Sequence, residues 1–323
     1  MKTRGSNHWV IALVCALSLL ISGYAFAESQ SQSEMFSLAY PPSLQEQFGE
    51  GLLLDATPQR LIVMTPNPVL AMYEMGLEML AVPISQLSVW PDELKAERLP
   101  LDRNTVDMEG ILLLQPDFVI LSTGQRDAYG KTLEERGIPC YYVKSGPAVT
   151  FQDIREMIQL IGAAFGKTEI TQNIMGRFDA VEAAAARYKA EHGAQTAAVM
   201  FSEPGAYLLG SKSYLGSMLD MMGYLNIADQ DKPASLLPIS MEELILQNPQ
   251  AIFVTHTSTA TGEEARVIYE AAFEENAAVW GKLDAISGNN VVYLGASYSH
   301  ASGLNVISEF ETLLAIMGGG ALD

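Results

Sequence analysis

Cysteine is almost absent from the 323-residue chain, which contains only Cys15 and Cys140. Cys15 lies in an apolar N-terminal segment that we expect to be removed, so one cysteine would remain and no internal disulfide could form. Cys140 lies in the apolar run PCYYV, where a cysteine usually packs as a small hydrophobic side chain. The fold must therefore depend on its hydrophobic core.

Positive charge is also scarce, because 19 lysines and arginines stand against 38 aspartates and glutamates, a formal net charge of -19. Such an acidic surface makes nucleic acid and anionic membrane surfaces poor partners. Charged residues make up only 18% of the chain, whereas 49% of it is hydrophobic. A chain of this length and composition can bury a large core and is expected to form two lobes rather than one.

The first residues, MKTRGSNHWVIALVCALSLLISGYAFAES, follow the order of a secretory signal peptide. Lys2 and Arg4 precede a short apolar run, and the AFA at residues 25–27 provides a small-x-small cleavage site. We expect residues 1–27 to be cleaved, which leaves a chain without direct membrane insertion. The alternative is an N-terminal membrane anchor, although the apolar run is short for a membrane span.

Beyond this segment, short apolar runs alternate with helical patterns, which indicates a parallel α/β architecture. The polar residues 28–50 are predicted to be a flexible leader, so that ordered structure begins near Leu52. Residues 51–166 are predicted to form an N-terminal α/β lobe and residues 193–323 a second one. The predicted strands are RLIVMT (60–65), MLAVPI (79–84), FVILS (118–122), CYYVK (140–144), TAAVMF (196–201), AIFVT (251–255) and VVYLG (291–295).

Residues 167–192 are predicted to form one long connecting helix. Its apolar positions recur at spacings of 4, 4, 3, 4 and 3, and they are Ile170, Ile174, Phe178, Val181, Ala185 and Tyr188. At 1.5 Å per residue the helix would be roughly 38 Å long. We interpret it as a strut between the lobes; the alternative is a long surface helix packed within a single domain.

One segment occurs twice. Residues 108–123 read MEGILLLQPDFVILST and residues 241–256 read MEELILQNPQAIFVTH, with methionine, glutamate and proline at matching places and apolar residues nearly throughout. Each is predicted to be a short helix followed by a buried strand, because Pro116 and Pro249 cannot continue a helix and favour extended geometry in the residue before them. The repeat supports two similar lobes.

The helices of this repeat have clear start signals. Asp107 and Ser240 are predicted N-caps, and Glu109 and Glu242 fall in the first turn, where the helix dipole favours negative charge. Helix capping is therefore a sufficient structural explanation of both glutamates.

The order of these motifs resembles the periplasmic substrate-binding proteins of ABC transporters that import ferric siderophores, haem and cobalamin. The resemblance covers nearly all of the chain after the signal peptide. It rests on PQRLIVMTPN (58–67), YEMGLEMLAVPI (73–84), EGILLLQPDFVI (109–120), DIREMIQLIGAAFGKTEI (153–170), the second-lobe repeat and VWGKLDAISGNNVVYLG (279–295). It implies two Rossmann-like α/β lobes joined by a single long interdomain α-helix, with a ligand cleft between the lobes.

The resemblance also implies a function. It implies a monomeric periplasmic receptor, not an enzyme, that holds no intrinsic cofactor and delivers a metal chelate, a ferric siderophore or cobalamin, to an ABC transporter permease dimer. In such proteins a glutamate on each lobe docks to basic pockets of the permease. The matching positions are Glu109 and Glu242, and Glu243 is a neighbour that could be confused with the latter.

Ligands of open α/β sheets bind at loops that follow the carboxyl ends of the strands. The predicted ligand-binding residues on this basis are Thr65, Asn67, Trp90, Gln125, Arg126, Lys144, Ser202, Tyr207, Tyr214, His256 and Tyr298. The aromatic members would offer flat faces to a large organic chelate, and the cationic members would attract an anionic one. A surface or core role remains the alternative for each.

His256 and His300 raise the alternative of a haem or free-metal receptor with the same fold. The sequence has no His-x-x-x-His motif and no cysteine pair, so direct binding of a bare transition ion is not expected. Haem-binding members often carry a tyrosine shortly before the glutamate-containing helix, whereas this chain has Asp102 and Arg103 there. Tyr298 or His256 would then have to act as the axial ligand.

A secreted hydrolase is the rival function from another class. A hydrolase needs a nucleophile with a base in reach, and the sequence contains no Gly-x-Ser-x-Gly elbow. The nearest pattern is LGASYSHASG (294–303), in which serines surround His300; small polar residues between a strand and a helix more often form a turn and a cap. A cell-surface receptor or chaperone with the same fold is a third alternative.

Overall fold

The computed structural model describes residues 35–84, 90–99, 106–301 and 303–318 of the chain. They form two α/β lobes connected by one long helix, as predicted. The predicted signal peptide, Asp102 and Arg103 lie outside the described residues. Among the residues that are described, no helix has both the length and the apolar character needed to cross a membrane.

The first described segment is an ordered hairpin. Strands β1 (Phe36–Ala39) and β2 (Gly51–Leu54) pair antiparallel, and helix α1 (Pro42–Phe48) lies between them in the chain. Phe36, Leu38 and Tyr40 are buried, and the ring of Tyr40 stacks on that of Tyr141 with 4.5 Å between their centroids. The prediction of a flexible leader over residues 28–50 is therefore wrong from Phe36 onward. The surrounding serines and glutamines concealed a short alternating pattern that buries one face of a strand.

The first lobe is built on a parallel five-stranded sheet with the order β5-β4-β3-β6-β7. Its strands are β3 (Leu61–Val63), β4 (Met79–Pro83), β5 (Glu97–Leu99), β6 (Phe118–Ser122) and β7 (Cys140–Val143). Its helices are α2 (Val69–Glu74), α3 (Met108–Leu113), α4 (Lys131–Glu135) and α5 (Phe151–Ala164). The four strands predicted for this lobe are confirmed, and Cys140 is buried as expected. Because all strands are parallel, their carboxyl ends form a single edge.

Helix α6 (Thr168–His192) confirms the predicted connecting helix. Its 25 residues extend roughly 37 Å at 1.5 Å per residue. The predicted apolar stripe is buried from Ile174 to Tyr188, and Ile170 is half-buried. At the first lobe the ring of Phe178 meets that of Phe151 edge-on at 5.1 Å; at the second, the hydroxyls of Tyr188 and Tyr224 lie 2.9 Å apart. The helix thus packs against both lobes.

The second lobe has a mixed six-stranded sheet. Its strands are β8 (Gln195–Phe201), β9 (Tyr207–Leu209), β10 (Tyr224–Asn226), β11 (Leu236–Pro238), β12 (Ala251–Thr255) and β13 (Val291–Leu294). The order is β11-β9-β8-β12-β13, and β10 also pairs with β8. The three strands predicted for this lobe are confirmed, whereas β9, which runs antiparallel to both β8 and β11, was not foreseen. The helices are α7 (Tyr214–Met221), α8 (Met241–Gln247), α9 (Gly262–Glu275), α10 (Ala277–Trp280), α11 (Asp284–Ser287) and α12 (Val306–Ile316).

The packing of α5 against α6 can be tested at Gly162, where a Cβ atom would lie 1.9 Å from Oγ1 of Thr171. That hydroxyl is held by a 2.7 Å hydrogen bond to the Lys167 carbonyl, so it has little freedom to move. We expect Gly162→Ala to lower the free energy of unfolding by roughly 1–3 kcal/mol through overpacking.

The control is Gly176→Ala on the exposed face of α6, where nothing lies within 4 Å of the added Cβ. This change should raise the free energy of unfolding by about 0.5–1 kcal/mol, because alanine is the better helix former. Urea unfolding measures both variants. A Gly162→Ala protein as stable as the parent would show that the two helices can separate without cost.

Candidate functional site

The loops after the parallel strands bring the two lobes into contact. After β3, the carbonyl oxygen of Asn67 lies so close to Gly303 that a Cβ there would be 2.1 Å from it. After β7, the carbonyl of Pro147 accepts a 3.3 Å hydrogen bond from the backbone N–H of Tyr214 in the second lobe. These contacts hold the two strand-end edges side by side, and we refer to the loops of each edge as the two walls of the predicted cleft.

Three residues predicted to bind ligand are buried in the first wall. Thr65, Asn67 and Gln125 are only 2%, 3% and 8% exposed. The Asn67 amide donates to the Lys144 carbonyl at 3.0 Å. The Gln125 side chain accepts from the backbone of Ser122 at 2.8 Å and donates to the Met64 carbonyl at 3.2 Å. The amides of Asn67 and Gln125 therefore tie the ends of β3, β6 and β7 together and have little left to offer a ligand.

Arg126 is different, because part of its hydrogen-bonding capacity is unused. It begins a single π-helical turn, Arg126–Gly130, after β6. Its guanidinium carbon lies 5.1 Å from the ring centre of Phe48 and 5.9 Å from that of Tyr142. Within the described residues its buried Nε has no hydrogen-bond partner. Leaving a buried N–H unpaired is costly, so Arg126 is suited to donate to a polar or anionic group of a ligand.

Lys144 and Trp90, the other predicted contacts of this wall, are engaged within the lobe. The ammonium of Lys144 lies 2.6 Å from Oδ1 of Asp153, and both side chains are largely buried. The indole N–H of Trp90 donates to the Pro83 carbonyl at 2.6 Å, while the half-buried ring stays partly open. The loop of residues 85–89 before Trp90 was predicted to line the cleft and lies outside the described residues.

The second wall contains Ser202, Tyr207 and His256. Tyr207 is 41% exposed and therefore has the open ring face expected of a ligand contact. His256 is buried, and its Nδ1 accepts a 3.2 Å hydrogen bond from the Ser258 N–H, which places the proton of the neutral ring on Nε2. That Nε2 points to Oε1 of Glu203 at 3.6 Å. Ser202 starts this loop in a left-handed conformation with φ of 67°.

Tyr214 and Tyr298 were expected to offer flat faces to a chelate, and this prediction is wrong. They are 0% and 6% exposed. The Tyr298 hydroxyl donates to the Glu309 carbonyl at 2.9 Å, and the Tyr214 hydroxyl bonds to the Glu309 carboxylate. Burial, reinforced by Glu309, raises the pKa of Tyr298 well above its usual value, which disfavours a phenolate metal ligand. Both tyrosines instead hold α12 against the rest of the fold.

The metal and hydrolase alternatives gain no support from the described part of the chain. It contains no cluster of three or more histidine, cysteine, aspartate or glutamate side chains that could hold a metal ion. His300 Nδ1 lies 2.7 Å from Ser299 Oγ, but Ser299 is fully buried and donates to the Ala296 carbonyl. A buried hydroxyl bonded to backbone is poorly placed to act as a nucleophile.

Helices α3 and α8 are structural copies on the two lobes. Asp107 and Ser240 each accept a hydrogen bond from the backbone N–H three residues later, at 2.9 Å and 3.3 Å. Each helix is followed by a left-handed residue that is not glycine, Gln115 with φ of 48° and Asn248 with φ of 42°, directly before a buried proline. The repeat seen in the sequence therefore extends to backbone geometry that the sequence does not display.

The first turn of each copy presents an exposed carboxylate, Glu109 on α3 and Glu242 on α8. Neither forms a hydrogen bond or an ion pair with another side chain in the described ranges. Glu243, by contrast, accepts a 2.6 Å hydrogen bond from the Gln247 amide. Glu242 rather than Glu243 is therefore the equivalent of Glu109 in both position and freedom.

Two contributors to the site were missed at the sequence level. Phe48 forms a face for the Arg126 guanidinium and belongs to the segment expected to be a leader. Gly303 joins the two walls, yet its stretch HASG reads only as a turn. The alternating apolar and small residues of FSLAY (36–40) could have predicted the ordered hairpin that contains Phe48. The role of Gly303 depends on a contact with Asn67, more than two hundred residues away in the sequence, which no local pattern shows.

Comparisons with known proteins agree with this architecture. Residues 61–298 match the sequence profile of the family described as periplasmic binding protein. A vitamin B12-binding protein of Vibrio campbellii is 25% identical over 210 residues, which cover 64% of this chain and 74% of that protein. The crystal structure of a periplasmic binding protein from Veillonella parvula superposes with a TM-score of 0.70 at 13% identity, covering 89% of this chain and 99% of that one. S. aureus IsdE complexed with heme gives 0.65 at 16% identity, covering 80% and 98%.

The contact between the walls predicts different costs at two glycines. Gly303 and Gly146 both have positive φ, 64° and 84°, but only Gly303 lacks room for a Cβ. We expect Gly146→Ala to cost roughly 1–2 kcal/mol of the free energy of unfolding, the usual penalty of a left-handed residue with a side chain. Gly303→Ala should cost at least about 1 kcal/mol more, because the added atom forces the walls apart. Urea unfolding compares the two, and equal losses would mean that the contact is loose.

Proposed function

The chain belongs to the periplasmic binding protein family, and from this we propose that it is a monomeric periplasmic receptor that captures a metal chelate in its cleft. The chelate we propose is a cobalamin or, as the second candidate, a ferric siderophore. The receptor would deliver it to the permease dimer of an ABC importer. The observation that carries the proposal is the direct contact between strand-end loops of the two lobes, which brings the predicted ligand-binding loops of both lobes to one boundary.

The chemistry of the walls favours a chelate that needs no protein ligand for its metal. Nδ1 of His256 accepts a hydrogen bond from Ser258, and its Nε2 faces Glu203. The Tyr298 hydroxyl is buried and donates a hydrogen bond to the Glu309 carbonyl. A metal that is already saturated by its own organic ligand requires only shape and polar contacts from the protein. Cobalamins and ferric siderophores meet this condition, whereas haem would need an axial ligand from the protein, and the two residues predicted for that role, Tyr298 and His256, are both buried.

The open groups of the walls are of two kinds. Tyr207 and the half-buried ring of Trp90 offer apolar faces, and the half-buried Arg126 offers a positive charge. A large ring system with amide, carboxylate or phosphate groups at its rim would pack against the apolar faces and bind the positive charge. The curated relative from Vibrio campbellii, described as a vitamin B12-binding protein, supports the choice of cobalamin as the first candidate.

We further propose that Glu109 and Glu242 dock the receptor on the permease. They lie at matching places on two similar lobes, they are exposed, and α6 fixes the separation of the lobes. A permease dimer presents the same surface twice, so one carboxylate can meet each half. Opposite charges at these contacts would guide encounter and orientation more than they raise affinity.

The ligand proposal is tested by thermal unfolding of the mature protein with cyanocobalamin, ferric siderophores, haemin and free metal ions. A ligand present at a hundredfold excess over its Kd stabilises the folded state by about 2.7 kcal/mol, which corresponds to a rise in Tm of roughly 5–10 °C. We expect this rise with cyanocobalamin or with one ferric siderophore. A response only to haemin, only to free metal ions, or to none of them would refute the proposed ligand class.

The same assay tests the second wall. Tyr207→Ala should remove an exposed ring from the cleft and reduce the ligand-induced shift in Tm. Tyr73→Ala is the matched control, because Tyr73 is a half-buried tyrosine on α2 that lines a hollow with Leu77 and Leu94, away from the strand-end loops. Equal losses in the two variants would place Tyr207 outside the binding surface.

The docking proposal is tested by charge reversal. We expect Glu109→Lys or Glu242→Lys to lower import of the bound chelate roughly tenfold or more, since a repulsive pair replaces an attractive one at one half of the permease. The Kd for the chelate, measured by isothermal titration calorimetry, should stay within about twofold. Glu243→Lys, one residue away and equal in charge change, should reduce import less. A weakened Kd would instead place the glutamate in the cleft or the fold.

A further inference from the structure

Leu113 and Leu246 are the two most exposed large apolar side chains in the described part of the chain, at 83% and 78%. Single exposed leucines are common on protein surfaces and need no explanation. These two are not independent, however, because they occupy the same place in the repeated segment. Each is the sixth residue of its copy, on α3 and α8 respectively.

The burial pattern around the two leucines is the same in both lobes. The residue two positions earlier, Ile111 or Leu244, is buried in the core of its lobe. The next residue is half-buried, the leucine is exposed, and the proline three positions later is buried again. The core positions of each helix are therefore already filled by other side chains, and folding requires no leucine at the exposed position.

Each exposed leucine shares a helix face with the proposed docking carboxylate. Leu113 follows Glu109 by four residues and Leu246 follows Glu242 by four, and residues four apart are neighbours on the surface of an α-helix. The structure therefore displays the same small surface twice, one carboxylate beside one leucine. We call these two surfaces the Glu-Leu faces.

We propose that Leu113 and Leu246 are apolar anchors that insert into the two halves of the membrane permease, each into an apolar hollow beside the cationic side chain that meets the neighbouring glutamate. This inference rests on the proposed function. It extends the proposed docking contacts from two glutamates to the two Glu-Leu faces. Charge at the rim steers encounter and orientation, whereas the lifetime of a complex depends on apolar side chains that leave water. The leucines thus provide the holding contact that a pair of exposed carboxylates lacks.

The charges beside the leucines argue against two other occupants. A lipid bilayer with anionic headgroups would repel a chain whose formal net charge is -19 and whose leucines each stand next to a glutamate. A second copy of the chain would bring one Glu-Leu face against another and oppose like charges. A partner that displays a basic residue and an apolar hollow twice would satisfy both faces together, and a permease dimer, with two matching halves, can present such a surface twice.

The first experiment places a photoreactive benzoylphenylalanine at position 113 or 246 in cells that carry the receptor and its own importer. Position 53 and position 225 serve as controls, since Leu53 and Leu225 are exposed leucines of the first and second lobe, at 63% and 58%, outside the Glu-Leu faces. After illumination, crosslinked proteins are identified by mass spectrometry. We expect a multi-span ABC permease subunit from positions 113 and 246 and not from the controls. Crosslinks to lipid, to the receptor itself, or equally from all four positions would overturn the proposal.

The second experiment measures import and binding of radiolabelled cyanocobalamin by the variants Leu113→Gln and Leu246→Gln, the double variant, and the controls Leu53→Gln and Leu225→Gln. Burial of one leucine strengthens binding roughly 10- to 100-fold, so the double variant should lower import at limiting receptor by about tenfold or more. The Kd for cyanocobalamin and the Tm should match those of the controls. Import equal to the controls, or a loss that follows a lower Tm or a weaker Kd, would overturn the anchoring role.

The two proposals fail in different ways. If the parent protein does not bind cyanocobalamin, the first candidate ligand is wrong, yet the crosslinks still decide whether the Glu-Leu faces meet a permease. If cyanocobalamin binds and is imported equally by all leucine variants, the ligand stands and the anchors are wrong.

Discussion

The buried stripe of α6 is the interaction on which the rest of the structure depends. From Ile174 to Tyr188 it presents one apolar face to both lobes, and its Phe178 joins the rings of Phe151 and Phe310 in a single cluster. A helix packed along its length behaves as a rigid spacer rather than a hinge. The separation of the two lobes, and with it that of α3 from α8, is consequently set by the core.

The elements that sequence could predict are those written in local patterns. The apolar run FVILS predicts a strand, the long apolar stripe predicts the 25-residue helix, and the prolines mark the end of each repeated helix. The structure contains all three elements. The hairpin from Phe36 was missed because its apolar residues are few and its neighbours are polar. Its stability comes from rings far along the chain, such as Tyr141, which no local window includes.

The site was less accessible to sequence reasoning than the fold. Position at a strand end identifies a loop near the cleft but not the direction of a side chain. Tyr207 and Tyr214 looked equivalent by that criterion, yet one is open and the other fully buried. Asn67 and Gln125 illustrate the same problem. In the sequence, an amide that ties strand ends together cannot be distinguished from an amide that binds a ligand. Only the hydrogen-bond partners separate the two roles.

If the two Glu-Leu faces dock as proposed, the duplication of the capped helix, the left-handed residue and the proline has a consequence for the geometry of assembly. A receptor with two equivalent faces can approach a two-fold symmetric channel in either of two orientations related by a half-turn, which doubles the number of productive encounters. The copies differ where Gly110 of one lobe stands against Glu243 of the other, so the second face carries an additional negative charge. An asymmetric heterodimeric channel could read that difference and accept one orientation only, whereas a homodimeric channel would not distinguish them.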